Sequence, residues 1–271
     1  MDRTIIAAML GCCISGVVIL SLRLVLRKVY FYRLDLGDYL AALAMLTLII
    51  YIPTVYISII WGTPNIEPGT AFTPEDIRRR TVGGKCVLVA RVMYISTNWL
   101  LKSILLDFYS KIVVELWYGH TMIYIVIVIL ALTYCVSVIM VFVECHPISL
   151  YWRVLHDPAQ CVRAMKLLFI EGAFNLFTQI ILIVLPLPVL FQVHLPWVKK
   201  LSLSLLFTLG FFVIITTCLR LAKIGPNLTS QNGRAFWAAI ELPCACLIAN
   251  APALYATFIK LLQRDGRLST D

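Results

Sequence analysis

Apolar residues in this chain run in long blocks rather than alternating with polar ones. Between charged residues, such blocks cover positions 4–22, 39–66, 121–143, 172–198 (broken only by His194), 201–219 and 242–259. A seventh block, 86–106, is interrupted by Arg91 and Lys102. A helix needs about 20 apolar residues to cross a hydrocarbon core ~30 Å thick. The pattern therefore predicts an all-α fold, a seven-transmembrane helix bundle. Its helices are expected near 4–26, 36–61, 83–108, 120–144, 167–190, 199–222 and 236–262. Connections are short except 62–84 and 146–163, so the chain reads as a single domain over 1–271.

Composition changes the picture little. Hydrophobic residues make up 61% of the chain and charged ones 14%, a balance that leaves too little charge to cover a soluble surface. The net charge of +9 would suit nucleic acid, but Lys and Arg sit in short turns between apolar blocks. There lipid headgroups are the ordinary neighbours. The bilayer is the expected partner and nucleic acid is excluded; no protein partner can be read. The first block is too long for a signal-peptide core and lacks a small-residue exit, so it reads as a first membrane helix. The location expected is integral to the endoplasmic reticulum or plasma membrane.

Basic residues do not orient the bundle by total count, because ten fall on each side. The first helix decides instead: only Arg3 precedes it, while Arg23, Arg27, Lys28 and Arg33 follow. This predicts a lumenal or extracellular N-terminus and a cytosolic C-terminus. The sequon Asn227-Leu228-Thr229, a candidate glycosylation site, and Cys86, Cys145 and Cys161 then share the outer side. One disulfide is expected there, Cys161 with Cys145 or Cys86.

Ionisable residues inside membrane spans are costly and usually face a bundle interior or cavity. Arg91, Asn98 and Lys102 fall within about 40° on the third helix, with Tyr94 beside them. Lys102 lies toward the inner end of its segment, where a long side chain can reach the interface. Glu171, Asn175, Thr178 and Gln179 share an arc of about 100° on the fifth helix. Trp237, Glu241 and Cys244 share one face of the seventh. Threaded through alternating helices, Arg91, Glu144, Glu171, Arg220 and Glu241 all land in one half of the membrane, opposite the first loop. Two readings stay open: interhelical ion pairs that fix packing, or a shared ligand or catalytic cavity. In the second, Glu171 and Glu241 are candidate catalytic acids, and Arg91, Tyr94, Asn98, Asn175, Gln179 and Trp237 are candidate substrate-binding residues.

Motifs for other chemistries are missing. There is no phosphate-cradling glycine loop, no zinc-protease helix and no Asp-rich magnesium site. No metal site and no cofactor are expected. Retinal attachment requires a lysine mid-way along the last helix, and the only one there, Lys260, sits at its end.

Several segments resemble the fungal rhodopsin-domain family of integral membrane proteins. They are Asp35-Leu-Gly-Asp38-Tyr39, Lys102-Ser-Ile-Leu-Leu, Cys145-His-Pro-Ile-Ser with Tyr151-Trp152 and Cys161, and Asn175 through Leu185-Pro-Leu-Pro188. Lys200 through Gly210 with Arg220, and Trp237 with Glu241, complete the set. That family includes the Pth-eleven-like receptors and the membrane proteins named after the satratoxin gene cluster. The resemblance implies seven helices, a fungal source and a membrane location; most members are not thought to bind retinal. The chain departs from the family pattern at Gln179, where an acid is usual. The resemblance places many relatives in biosynthetic clusters. The favoured expectation is therefore a membrane protein of secondary-metabolite biosynthesis that binds a small lipophilic molecule, with cofactor-free acid-catalysed cyclisation or isomerisation as the candidate activity. The alternative is a Pth-eleven-like seven-helix receptor.

Overall fold

The computed structural model describes residues 3–31, 35–64, 73–113, 119–154, 165–187, 197–222 and 231–264. These form seven α-helices and one short 3-10 turn, Ile148–Tyr151. The helices are α1 (Arg3–Phe31), α2 (Leu36–Ile60), α3 (Pro74–Val113), α4 (Gly119–Val143), α5 (Met165–Val184), α6 (Trp197–Ala222) and α7 (Gln231–Arg264). Among the described residues there is no strand. Among the described residues five segments are long and apolar enough to cross a membrane: Ile6–Val29, Leu36–Ile60, Gly119–Val143, Lys166–Val184 and Phe236–Tyr255. The described part of α6 contributes the apolar stretch Gly210–Leu221.

Helix α3 differs most from expectation. It begins at Pro74, not near 83, and runs for 40 residues, roughly 60 Å at 1.5 Å per residue. Its start is set by Thr73, whose hydroxyl accepts from the Asp76 N–H (3.3 Å) and donates to the Asp76 carboxylate (2.6 Å). Pro74 at the first helical position and two acids in the first turn complete a favourable N-terminus. Because α3 is longer than a bilayer is thick, its first turns project beyond the apolar layer. It packs against α2, α4, α5 and α7, which is how a helix carrying Arg91, Asn98 and Lys102 stays out of lipid.

Two glycines let neighbours close on α3. A Cβ at Gly83 would land on the carbonyl of Gly62, the residue with φ of +75° just beyond the end of α2. A Cβ at Gly84 would meet the Tyr151 carbonyl at 2.6 Å and Trp152 Cα at 2.9 Å. The α2 end and the turn after α4 thus both rest on α3 backbone. Tyr151 is buried, and its hydroxyl donates to the Val141 carbonyl (2.8 Å).

Large apolar side chains such as Val18, Leu43, Tyr124, Leu132, Phe169 and Phe211 stand exposed on the outside of the bundle. On a soluble protein such a surface would aggregate; here it is the lipid-facing surface. The protein is an integral membrane protein. We call the half containing the α1–α2 turn lower and the opposite half upper.

The lower half is tied by ions. Arg23 Nε meets Asp38 Oδ1 at 3.2 Å, and Arg23 Nη1 donates to the Ala249 carbonyl and Asn250 Oδ1, each at 3.3 Å. Lys111 Nζ joins Asp35 at 2.9 Å and Asp107 at 3.3 Å. Asp35 and Asp38 form a capping box at the start of α2. This set joins α1, α2, α3 and α7.

Candidate functional site

The upper half contains a second charged network, centred on Arg220 of α6. Its Nη2 meets Glu171 Oε2 of α5 at 3.0 Å, and its Nη1 meets Glu241 Oε2 of α7 at 3.2 Å. The same Nη1 donates to the Tyr94 hydroxyl (2.6 Å), which in turn donates to Glu241 Oε2 (2.7 Å). Asn175 Nδ2 donates to Glu241 Oε1, and Thr217 lies 3.5 Å from that oxygen. All of these side chains are buried.

Lys102 extends the network downward. Its ammonium donates to the Asn175 carbonyl (3.1 Å), to Asn175 Oδ1 and to Thr178 Oγ1 (2.7 Å). The expected reach of Lys102 to the interface is overturned: the residue is 6% exposed. A side chain on a helix leans toward the helix N-terminus. Since α3 descends, Lys102 leans up into the bundle.

Above this network lies a cavity of about 80 Å3. Its wall includes Tyr51 of α2, Arg91 and Tyr94 of α3, Glu171, Arg220 and Ala238. Arg91 carries its guanidinium 5.3 Å from the centre of the Tyr151 ring. Three buried polar atoms on the cavity-lining residues have no hydrogen-bond partner, Arg91 Nη1, Glu171 Oε1 and Arg220 Nε. The two acids therefore differ. Both oxygens of Glu241 are engaged, whereas Glu171 keeps one free.

The structure sorts the sequence candidates into layers. Arg91, Tyr94 and Glu171 reach the cavity wall; Glu241 and Asn175 lie in the network beside and below it. Asn98 and Gln179 border a separate void of about 20 Å3 with Lys102 and Asn175. Trp237 meets Phe236 edge-on, with ring centres 6.2 Å apart. Glu144, in the same half, accepts the Leu167 N–H at 3.2 Å and ties α4 to the start of α5. Sequence reasoning missed Tyr51 and Thr217. Both sit in apolar runs that offered no polar stripe to flag them.

Cys145 is in a disulfide, while Cys86 is a free thiol, which removes Cys86 as the expected alternative partner. Cys161 and Asn227 lie outside the described residues. No group of three or more His, Cys, Asp or Glu side chains among the described residues is arranged to hold a metal.

The family model for the fungal rhodopsin domain matches residues 22–260. The chain belongs to that family. It is also similar to "Fugralins biosynthesis cluster protein 2" of Gibberella zeae, at 26% identity over 129 residues. That match covers 45% of this chain and 31% of the relative, so the chain spans about a third of that protein's length. No solved structure matches it.

Proposed function

We propose that the upper cavity receives the polar end of a small lipophilic molecule, and that the protein serves secondary-metabolite biosynthesis in the membrane. The observation that carries this reading is that an acceptor and a donor among the unpartnered atoms, Glu171 Oε1 and Arg91 Nη1, stand on one cavity wall. A buried polar atom without a partner costs about 1–3 kcal/mol; a ligand hydroxyl would satisfy both, and a carbonyl would satisfy Arg91. The cavity of about 80 Å3 suits a functional group rather than a whole ligand, since one water occupies ~30 Å3 of liquid. The apolar body would extend along the lining side chains. The relative's name, a biosynthesis cluster protein, supports the pathway.

The chemistry such a site favours is proton transfer without a cofactor. Arg91 would polarise a carbonyl, and Glu171 would take a proton from the neighbouring carbon and return it elsewhere on the same molecule, giving an isomerisation. Ion pairing to Arg220 makes Glu171 a base before it is an acid, because its carboxylate must first accept the proton it later gives. Glu241, with both oxygens occupied, positions Arg220 and Tyr94. The test is expression of Glu171→Gln in a host making the lipophilic precursor. Normal insertion with conversion lost, and precursor binding retained, is the expected result. Conversion at the wild-type rate would overturn the catalytic role. A wild-type protein that binds the precursor and releases it unchanged would point to the receptor.

A further inference from the structure

The lower half contains a larger space than the upper cavity, and the reading above does not use it. Between α2 and α4, over one face of α3, runs a groove of about 610 Å3. Ser96, Trp99, Leu100, Ser103, Asp107 and Ser110 form its floor, and their spacing of three and four residues sets them on a single helix face. Leu43 of α2 (48% exposed) and Ile127 of α4 (50% exposed) stand on its walls, so the groove is open to the bilayer on its outer side. The volume falls within the range of about 300–1,000 Å3 typical of small-ligand sites.

The floor's hydrogen bonds indicate which ligand fits. Ser103 Oγ donates to the Trp99 carbonyl (2.9 Å), and Ser110 Oγ donates to the Asp107 carbonyl (2.8 Å). The Trp99 indole N–H is spent on Thr133 Oγ1 (3.0 Å). Each of these protons is already used, so Ser103 and Ser110 offer the lower end of the groove only lone pairs. The one hydroxyl proton left over, in the Ser96–Tyr134 pair (3.1 Å), lies about two turns above Ser103, on the upper side. The Asp107 carboxylate, 13% exposed, adds further acceptors at the same lower end. The one cation on Asp107 is Lys111 (3.3 Å), which Asp35 already shares at 2.9 Å, so a carboxylate or phosphate there would compete with two acids for a single ammonium. A hydroxyl would find acceptors within reach of its proton, while Trp99, Leu43 and Ile127 cover an apolar body.

We propose that this groove is a second ligand site, taking a lipophilic alcohol from the surrounding bilayer with its hydroxyl toward Asp107. It lies in the opposite half of the membrane from the Glu171 cavity and stands or falls independently of it. The test uses the full chain in lipid nanodiscs, photolabelled with diazirine-bearing hexadecanol or with the matching hexadecanoic acid. The alcohol should label the peptides of α2 and α4 that flank the groove, about fivefold more than the acid, the ratio one hydrogen bond confers. Ala131→Trp, which fills the groove from α4, should abolish that labelling. Ile127→Trp fills it independently if the first variant fails to fold, and Asp107→Asn should let the acid approach the alcohol. Labelling spread evenly over the outer faces of the helices and unchanged in a folded filled variant would overturn the site. Equal labelling by acid and alcohol in the wild type would overturn the identity of its ligand.

Discussion

Replacing Arg220 by Met should destabilise the bundle more than any other single charge removal. The structure supplies the magnitude. Arg220, Glu171 and Glu241 have side chains 8%, 5% and 3% exposed, so water screens none of their interactions. Met fills a similar volume but leaves two buried carboxylates facing the space that one guanidinium neutralised. Deleting one partner of a buried ion pair typically costs about 3–5 kcal/mol, because the remaining charge is stranded. For a chain of this size that loss lowers Tm by roughly 10 °C. Thermal unfolding of the purified protein in nanodiscs, followed by tryptophan fluorescence, measures it. The triple variant Arg220→Met, Glu171→Gln, Glu241→Gln removes the stranded charges along with the cation. It should recover most of the loss, since a whole buried triad can be replaced at little cost. The exposed pair Arg79–Glu75, at 2.6 Å but 56% and 71% exposed, is the control: Arg79→Ala should leave Tm unchanged. An Arg220→Met protein melting within about 2 °C of wild type, or a triple variant no better than the single one, would refute the stranded-charge argument.

Gly83→Ala gains at most about 1 kcal/mol in helix propensity, but its Cβ would strike the Gly62 carbonyl, so Tm should fall; a rise would show that the α2–α3 contact yields easily. At the lower junction, the hydrogen bond from Lys111 holds the Asp35 carboxyl below its ordinary range. Its folded pKa is then lower than its unfolded one, so this contribution is present above about pH 4 and disappears as pH falls through the folded value. Asp35→Asn should flatten the acid limb of the Tm–pH profile, and an unaltered limb would remove Asp35 as its source. Asn227 should acquire glycan in microsomes, lost in Asn227→Gln; a protease-accessible cytosolic Asn227 loop would reverse the orientation expected from the charges around α1.

The blocks of apolar residues made the helices legible because a bilayer demands them at fixed length. The ends were less so, because apolar patterning does not stop where a helix stops. Helix α5 ends at Val184, before Leu185-Pro186, where proline restrains the preceding residue; the apolar pattern alone carried the expected end to 190. The start of α3 was written in Thr73-Pro74-Glu75-Asp76, yet the basic run that follows reads as a loop when charge is weighed above capping. Gly37, inside the Asp35–Asp38 segment, gave no hint of its role. A Cβ there would stand 2.6 Å from Asp107 Oδ2 and 2.9 Å from Arg23 Nη2, a contact three helices make together.

The upper network was half legible, and the missing half follows from one geometric rule. Alternation of helices placed Arg91, Glu171, Arg220 and Glu241 at one depth, but depth alone cannot separate a snorkelling side chain from one that points inward. Direction can, because side chains lean toward the N-terminus of their helix. Arg220 stands near the upper end of an ascending helix, so it leans down, away from the nearer interface and onto Glu171, Tyr94 and Glu241. Lys102 stands in the lower half of a descending helix and leans up, onto Asn175 and Thr178. Arg91, near the upper end of the same descending helix, leans toward the upper surface and meets Tyr151. The three cations therefore divide into two that build the network and one, Arg91, that is left at the cavity with Nη1 free. That difference in direction is what separates the ionic core from the site beside it.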